Sequence, residues 1–596
     1  MTRRERVALF VILAAAFVLR LGHVLALRGD VLFEHPVLDE DRYVEDARLL
    51  AADKPFEQAP FWQPPGMLYF LGLTLRLSDG LLLPRLVQVL ASTAAVALIF
   101  AIARRLFDVR VALVTAALVA GHGMLVFSSG ELLAATWAGV FDLLAVLLLL
   151  DADGSPKHAT GAGLALGVSA VFAAVILPFA LVVGLGLLIG AKDRRAALAF
   201  GAGVVLPILP VTYRNASFAG ELVLVSTNGG LNFFLGNNER YIETLSIRPG
   251  VHWGELIDRP LREAHLRGRP AASSWFLDQG LAFWKAHPAQ ALGLYLRKLW
   301  LFFHAAEIPR DTDVYAVRSG SKVLAALVGP RPWLLPDGWL MPAALVGMGV
   351  SLRERRLLLP LAFVAAQALV VSMFFVSARY RVPALPFLAL FAVVAARELV
   401  RAAPRARAGL LVAALGLAVV AWLPARETKL AFAAEPDLYR GLAHRKLGQH
   451  DAALAAFQRA TTADPADPRP WFELAVSLRS LGKPLEAAAA WERAGAADPR
   501  DVRALRMAAT ARSMAGDKRG AIADHAANAE FGGAFDHLQC AALYLELGES
   551  AAALAAVRAA FARDPRYVRM QAPGFRAALE PKADAAFWGS FGEIVR

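Results

Sequence analysis

Long apolar runs, interrupted by short clusters of arginine and lysine, fill the first 424 positions of the chain; beyond them the pattern changes to Ala-rich, charged stretches of helical periodicity. A bilayer core of about 30 Å takes roughly 20 apolar residues in a helix rising about 1.5 Å per residue. By that measure spans are expected at 7–27, 81–105, 109–127, 131–150, 196–214, 332–351, 356–376, 380–402 and 407–424. The segment 159–190 would measure about 48 Å as one helix, too long for one crossing, and Pro178 can break it. If it crosses twice, the basic clusters at 3–6, 104–110, 192–195, 353–356 and 397–407 all fall on the side of the N-terminus, as the positive-inside rule requires. The pattern therefore predicts about eleven spans, with residues 28–80, the long loop 215–331 and the C-terminal part outside.

Composition agrees with that pattern. The 596 residues are 57% hydrophobic, with a mean hydropathy of +0.47, which points to a membrane protein. The net charge of +12 is spread in clusters between apolar segments, so it reads as topology rather than as a nucleic-acid surface, and leaves room for an anionic lipid ligand. The single Cys540 cannot form an intrachain disulfide and says nothing of compartment. Arg3, Arg4 and Arg6 before the first apolar run would also suit a signal peptide, but the run is long and no small-x-small site follows, so a retained helix is expected.

The C-terminal part repeats. Gly448, Gly482 and Gly516 are 34 residues apart and Gly548 follows at 32, while Pro465, Pro499 and Pro565 each sit 17 residues after one of these glycines. Phe457 and Trp491 keep the same 34-residue offset. A turn glycine between two Ala-rich helices and a proline closing the second make the tetratricopeptide pattern, in which each helix pair buries its face against the next. The repeats are expected over 435–570, followed by a tail at 571–596, and identify a protein-binding scaffold without chemistry of its own.

Chemistry is expected in the loop after the first span. In Pro36-Val37-Leu38-Asp39-Glu40-Asp41-Arg42-Tyr43-Val44-Glu45-Asp46-Ala47, the positions Val44, Ala47 and Ala51 recur at helical spacing, predicting an amphipathic helix at the membrane surface with Asp39 at its N-terminal end. The helix dipole favours an ionised carboxylate there, and an oriented carboxylate is what a general base needs. A solvated acidic loop is the competing reading. Further along, Phe61-Trp62-Gln63-Pro64-Pro65-Gly66-Met67-Leu68-Tyr69 combines aromatics with rigid prolines and would hold a segment at the interface beside the acidic helix.

At four places the sequence resembles the GT-C membrane glycosyltransferases, in the branch of protein O-mannosyltransferases and lipid A aminoarabinose transferases. They are Asp39-Glu40 with Tyr43; Gln63-Pro64-Pro65; Tyr213-Arg214-Asn215 with Ser226-Thr227-Asn228-Gly229-Gly230-Leu231-Asn232 and Gly236-Asn237-Asn238; and Arg379-Tyr380-Arg381-Val382-Pro383. Gln63 stands where the family usually has a basic residue. The resemblance covers most of residues 1–424 and implies an all-α, polytopic helix bundle followed by an α-solenoid of repeats. It also implies a polyprenyl-phosphate sugar donor used at the extracytoplasmic face, with Asp39 as base and Glu40 orienting it or the acceptor.

Departure of the lipid phosphate needs cations where negative charge develops. Arg379 and Arg381 flank a short outer turn where topology disfavours arginine, and guanidinium binds phosphate in a bidentate fork; snorkelling to headgroups is the alternative. Arg214, at the end of the seventh span, and Lys298, on an outer amphipathic helix, are further candidates. Tyr43, Gln63, Glu131 and Glu307 are expected near the acceptor or cavity, although Glu307 would equally suit a helix cap or salt bridge. Asp142, inside a span, is expected to pair with a neighbouring helix, and Arg20 to snorkel. No ligand spacing identifies a metal: Asp39, Glu40 and Asp41 could hold a divalent ion through oxygen ligands, but three adjacent carboxylates are not a recognised cage, so neither a metal nor a cofactor is expected. The expected partners are a polyprenyl-phosphate-linked sugar, a protein, glycolipid or glycan acceptor, a protein held by the repeats, and the bilayer. The expected place is a bacterial inner membrane, with the N-terminus cytoplasmic and the repeats extracytoplasmic. The competing classes are a non-enzymatic scaffold or transporter and, among enzymes, a polysaccharide ligase or polymerase; paired half-repeats with polar breaks, the mark of a transporter, are not evident.

Overall fold

The computed structural model describes residues 1–56, 59–151, 155–190, 194–310, 312–329, 336–429 and 432–596. Lys192 of the basic cluster at 192–195, the start of the span expected at 332–351, and the end of the 215–331 loop lie partly outside the described residues. The chain is all-α: 79% is helical and no strand occurs among the described residues. It divides into two compact units, Met1–Ala431 and Phe432–Arg596.

In the first unit, six helices are long and apolar enough to cross a membrane: Arg3–Leu27, Leu82–Leu106, Arg195–Ala219, Arg355–Met373, Ala378–Arg401 and Pro404–Trp422. The other expected spans correspond to shorter helices. The 109–127 stretch divides at Gly121 and His122 into Val109–Ala120 and Gly123–Ser128, and 131–150 begins its helix at Ala135. The 159–190 segment divides into Pro156–Phe172 and Leu177–Gly190 around an extended Ala173 and a short 3-10 turn, Ala174–Ile176. Pro178 sits in the first turn of the second helix, where its missing N–H costs no bond, so the break precedes the proline.

Glycine sets a close helix contact in this unit. A Cβ on Gly163 would lie 2.2 Å from the Phe200 carbonyl oxygen, one on Gly167 2.4 Å from that of Val204, and one on Gly203 2.6 Å from that of Thr160. Pro156–Phe172 and Arg195–Ala219 thus meet backbone to backbone, the small-residue packing that holds helices together where lipid gives no hydrophobic drive. Some buried polar groups find their partners within the bundle. Arg20 does not snorkel: it is fully buried, its Nε donates to Ser92 Oγ at 2.8 Å, and its guanidinium also donates to the Ala16, Ala120 and Val119 carbonyls. All three guanidinium nitrogens are bonded inside the protein, so the side chain has no need to reach water. Asp142 accepts a 2.6 Å bond from Ser169 Oγ on the neighbouring helix.

The second unit stacks helix pairs: Glu435–Lys446 with His450–Ala463, Pro468–Ser480 with Pro484–Ala497, Val502–Met514 with Lys518–Gly532, and Ala534–Glu546 with Ser550–Arg563. The four periodic glycines each occupy the turn inside a pair with positive φ: Gly448 at 72°, Gly482 at 75°, Gly516 at 85° and Gly548 at 76°. Only glycine adopts that conformation without steric cost, which explains the period. Phe457 and Trp491 are fully buried between successive pairs. Residues 571–596 complete the Pro565–Leu579 helix and form Ala585–Val595, whose Phe587, Trp588 and Phe591 cover the last pair. Burial pushes the Cys540 thiol up to about 11.

Candidate functional site

The acidic segment forms the Asp39–Ala51 helix, with Asp39, Glu40 and Asp41 in its first turn. Its apolar face, Tyr43, Val44 and Ala47, packs on Met67, Leu68 and Leu71 of the Gly66–Leu75 helix. Protein rather than lipid therefore covers that face. Leu38, immediately before the helix, has φ 60° and ψ −130°, a conformation that costs a branched residue about 1–3 kcal/mol. Strain of this kind persists where the surroundings fix the chain, and here it sets the direction of Asp39.

Three of the sequence motifs converge beside this helix. Asn215 is fully buried and its amide oxygen accepts from the Phe61 N–H at 3.0 Å, while its Nδ2 donates to the Val223 and Val225 carbonyls. Thr227 donates through both its N–H (2.9 Å) and its hydroxyl (3.1 Å) to the Phe61 carbonyl, and the Asn228 N–H donates to that of Trp62 at 3.1 Å. Residues 61–65 are thereby laced to residues 215–228. Tyr43 Oη donates to the Pro64 carbonyl at 3.2 Å and joins the acidic helix to the same segment.

Between these pieces opens a cleft of about 590 Å³, lined by Asp39, Tyr43, Gln63, Asn228, Asn232 and Arg379 among other residues. Arg379 Nη1 donates to Asp39 Oδ2 at 2.7 Å, joining residues 340 positions apart, and Nη2 donates to Tyr380 Oη at 3.2 Å. Both side chains of the ion pair keep access to the cleft, 29% exposed for Asp39 and 22% for Arg379. The Gln63 amide oxygen is buried with no hydrogen-bond partner in the protein.

The remaining candidates lie outside the cleft lining. Glu40 turns toward Arg85, 3.9 Å away, rather than toward Asp39; Arg85 is buried, stacks on Phe33 and donates to the Gly130 and Phe33 carbonyls. The Glu131 backbone carbonyl accepts from Gln88 Nε2. Arg214 lies 3.8 Å over the Phe61 ring and donates to the Ala59 carbonyl, which fixes the start of the aromatic segment. Lys298 is fully buried: its Nζ donates to the Gly236 and Phe374 carbonyls at 2.8 and 2.9 Å and to Asn237 Oδ1 at 3.1 Å. Burial pushes this ammonium down to about 7, against which the three oxygens hold its three N–H groups.

Arg381, two residues from Arg379, is buried. It pairs with Glu307 at 3.0 Å and Asp337 at 3.5 Å and donates to the His304 carbonyl at 2.7 Å; His122 Nε2 lies 3.1 Å from Asp337 Oδ1. Burial raises the Glu307 carboxyl well above the ordinary range, and Arg381 opposes that rise. Together with the Ala378 N–H to Ile308 carbonyl bond of 2.9 Å, this cluster anchors the turn that carries Arg379. Sequence reading did not single out Asp337 and named Tyr380 only within its motif, without a role; a carboxylate opening an apolar helix, and a tyrosine between two arginines, are the signals that mark them. No group of three metal-ligating side chains occurs among the described residues.

In class, the membrane unit is similar to membrane glycosyltransferases of the GT-C type. More particularly, residues 62–213 match the family described as dolichyl-phosphate-mannose-protein mannosyltransferase, and residues 425–468 and 438–502 match the tetratricopeptide repeat. The first match includes Gln63 but neither Asp39 nor Arg379. Similar solved structures include the apo oligosaccharyltransferase of Archaeoglobus fulgidus, 14% identical over 72% of this chain and 55% of that one, with a TM-score of 0.40. They also include AglB of the same organism in complex with an inhibitory peptide and a dolichol-phosphate, 14% identical over 75% of this chain and 59% of that one, TM-score 0.38. A thermophilic tetratricopeptide protein of Thermus thermophilus is 20% identical over 30% of this chain and 95% of that one, TM-score 0.18. The chain thus spans a little over half the length of these oligosaccharyltransferases. No curated protein matches it.

Proposed function

We propose that this protein transfers a sugar from a polyprenyl-phosphate carrier to a hydroxyl or amine of a protein, lipid or glycan acceptor at the outer face of a bacterial inner membrane. The observation that carries the reading is the meeting of Asp39 and Arg379 in one cleft that Gln63 and Tyr43 also line. Asp39 takes the acceptor proton, the acceptor oxygen or nitrogen attacks the anomeric carbon, and the bond from that carbon to the phosphate oxygen breaks with its electron pair leaving on the phosphate. Arg379 stabilises that charge. Of the four cations considered for the phosphate, Arg379 faces the cleft, while Arg381 anchors the turn that carries it and Arg214 and Lys298 hold the surrounding loops. Tyr43 and Gln63 offer polar contacts to acceptor or sugar. Glu40 acts through Arg85 as a support of the acidic helix, and Glu131 and Glu307 serve the scaffold.

In this reading residues 1–424 form the transferase domain, with the loops 28–80 and 215–331 outside, and the repeats at 435–570 recruit a protein, acceptor or assembly partner, on the same side. The test is to incubate the purified protein with radiolabelled polyprenyl-phosphate sugars of several kinds and an envelope extract. Label is expected to move to an acceptor, whose mobility identifies its class. No transfer from any donor would favour a non-enzymatic scaffold built on the repeats.

A further inference from the structure

The Asp39–Arg379 ion pair raises a problem for the reaction just proposed, and its solution is a mode of control. Among the described residues lining the cleft, Arg379 is the one cation, while Asp39 and Glu221 are the carboxylates. Its Nη1 is given to Asp39 and its Nη2 to Tyr380. A guanidinium recognises phosphate through two parallel N–H groups; the Nε of Arg379 is buried, so the fork open to a phosphate is Nη1 with Nη2, and a phosphate seated there competes with Asp39 for Nη1. Conversely, Asp39 Oδ2, which accepts from Arg379 at 2.7 Å, stays engaged until that bond opens. One cation thus faces two anionic claimants.

We propose that the donor's phosphate displaces Asp39 from Arg379 and so arms the base only when the donor is in place. This rests on the assignment of Asp39 as base and Arg379 as phosphate ligand. Displacement is feasible because both side chains are partly exposed and an ion pair in that setting is weak, whereas the buried Arg381 is fixed by two carboxylates and cannot be recruited. The order of events follows: donor first, then proton transfer from the acceptor. Asp39 Oδ2 is held while the donor site is empty, and its release by the phosphate frees that oxygen in the complex that can use it.

The test is equilibrium binding of farnesyl phosphate, as an isoprenyl-phosphate probe, to detergent-purified full chains, measured beside transfer activity. Asp39→Asn and Asp39→Ala, two variants of different shape, should both bind the probe more tightly than wild type, by roughly fivefold, because the competitor is gone. Both should fail to transfer. Arg379→Gln should bind the probe at least about tenfold more weakly, and adding Asp39→Asn to it should restore less than about twofold. Unchanged or weaker binding by both Asp39 variants, with transfer lost, would overturn the displacement and leave the base assignment standing. Tightening of the same size in the Arg379→Gln background would also overturn it, since the gain would then be general charge relief. Transfer retained in Asp39→Asn would instead remove the base assignment itself.

Discussion

Two arginines two residues apart have opposite tasks. Arg379 reaches an accessible cleft and pairs with Asp39, whereas Arg381 is buried between Glu307 and Asp337. Arg379→Ala is expected to change stability by less than about 1 kcal/mol while lowering transfer by about a hundredfold or more. Arg381→Ala, which strands two buried carboxylates, should cost about 3–5 kcal/mol and be visible as a large fall in the thermal midpoint in detergent. Equal stability losses in the two variants would contradict this division. Lys298 gives a pH signature. Its folded-state value of about 7 lies below the ordinary lysine value of about 10.4, so the unfolded chain binds the extra proton between those limits and stability from this group rises with pH across them. The midpoint of wild type relative to Lys298→Met should therefore climb from pH 7 to pH 9; a flat difference would show that the three oxygen acceptors keep the ammonium charged. Asp39, Tyr43, Gln63 and Arg379 were legible in the sequence because each belongs to a local motif. The burial of Arg381 was not, because its partners lie 74 and 44 positions upstream and nothing local distinguishes it from Arg379.

At the scale of elements, the site depends on how closely backbones approach. The Gly229–Gly236 helix lies against the Arg269–Ala286 helix and the Phe374 carbonyl so tightly that a Cβ on Gly230 would fall 1.8 Å from the Ser273 carbonyl oxygen and one on Gly236 1.7 Å from that of Phe374. Neither backbone can yield by that much locally. Gly236→Ala is expected to destabilise by about 1–3 kcal/mol and to disturb the Lys298 hub, read as a lower thermal midpoint together with lost transfer. A variant with wild-type midpoint would contradict the packing described here. Asn215→Ala should cost about 1–3 kcal/mol, since one buried amide serves the Phe61 N–H and two carbonyls. Helix positions follow the hydrophobic pattern well, and the turn glycines of the repeats announce themselves by period alone. Harder to read was where the 159–190 segment divides: tertiary packing places the break at Ala173, ahead of the proline that drew attention to it. The lacing of residues 61–65 to 215–228 was equally invisible, since it consists of backbone bonds between distant loops.

For the whole molecule, the positive-inside pattern predicts an arrangement that labelling can check. Burial and a raised thiol value make Cys540 unreactive, so introduced cysteines report alone. In intact cells a membrane-impermeant maleimide should label Lys54→Cys and Met514→Cys, both exposed positions, and leave Arg353→Cys unlabelled until the membrane is opened. Labelling of Arg353→Cys alone would invert the arrangement and remove the cleft from the outer face. The six helices that satisfy the length and hydropathy needed for a crossing, with shorter apolar helices between them, make a bundle in which short segments and loops shape the site. The central claim is that this bundle performs sugar transfer with Asp39 as base, and one comparison tests it most directly. Wild type and Asp39→Asn, equally folded and inserted, are given the same radiolabelled polyprenyl-phosphate sugar and envelope acceptor. The account predicts transfer by wild type and a loss of about a hundredfold or more in the variant; equal transfer by the two would contradict it.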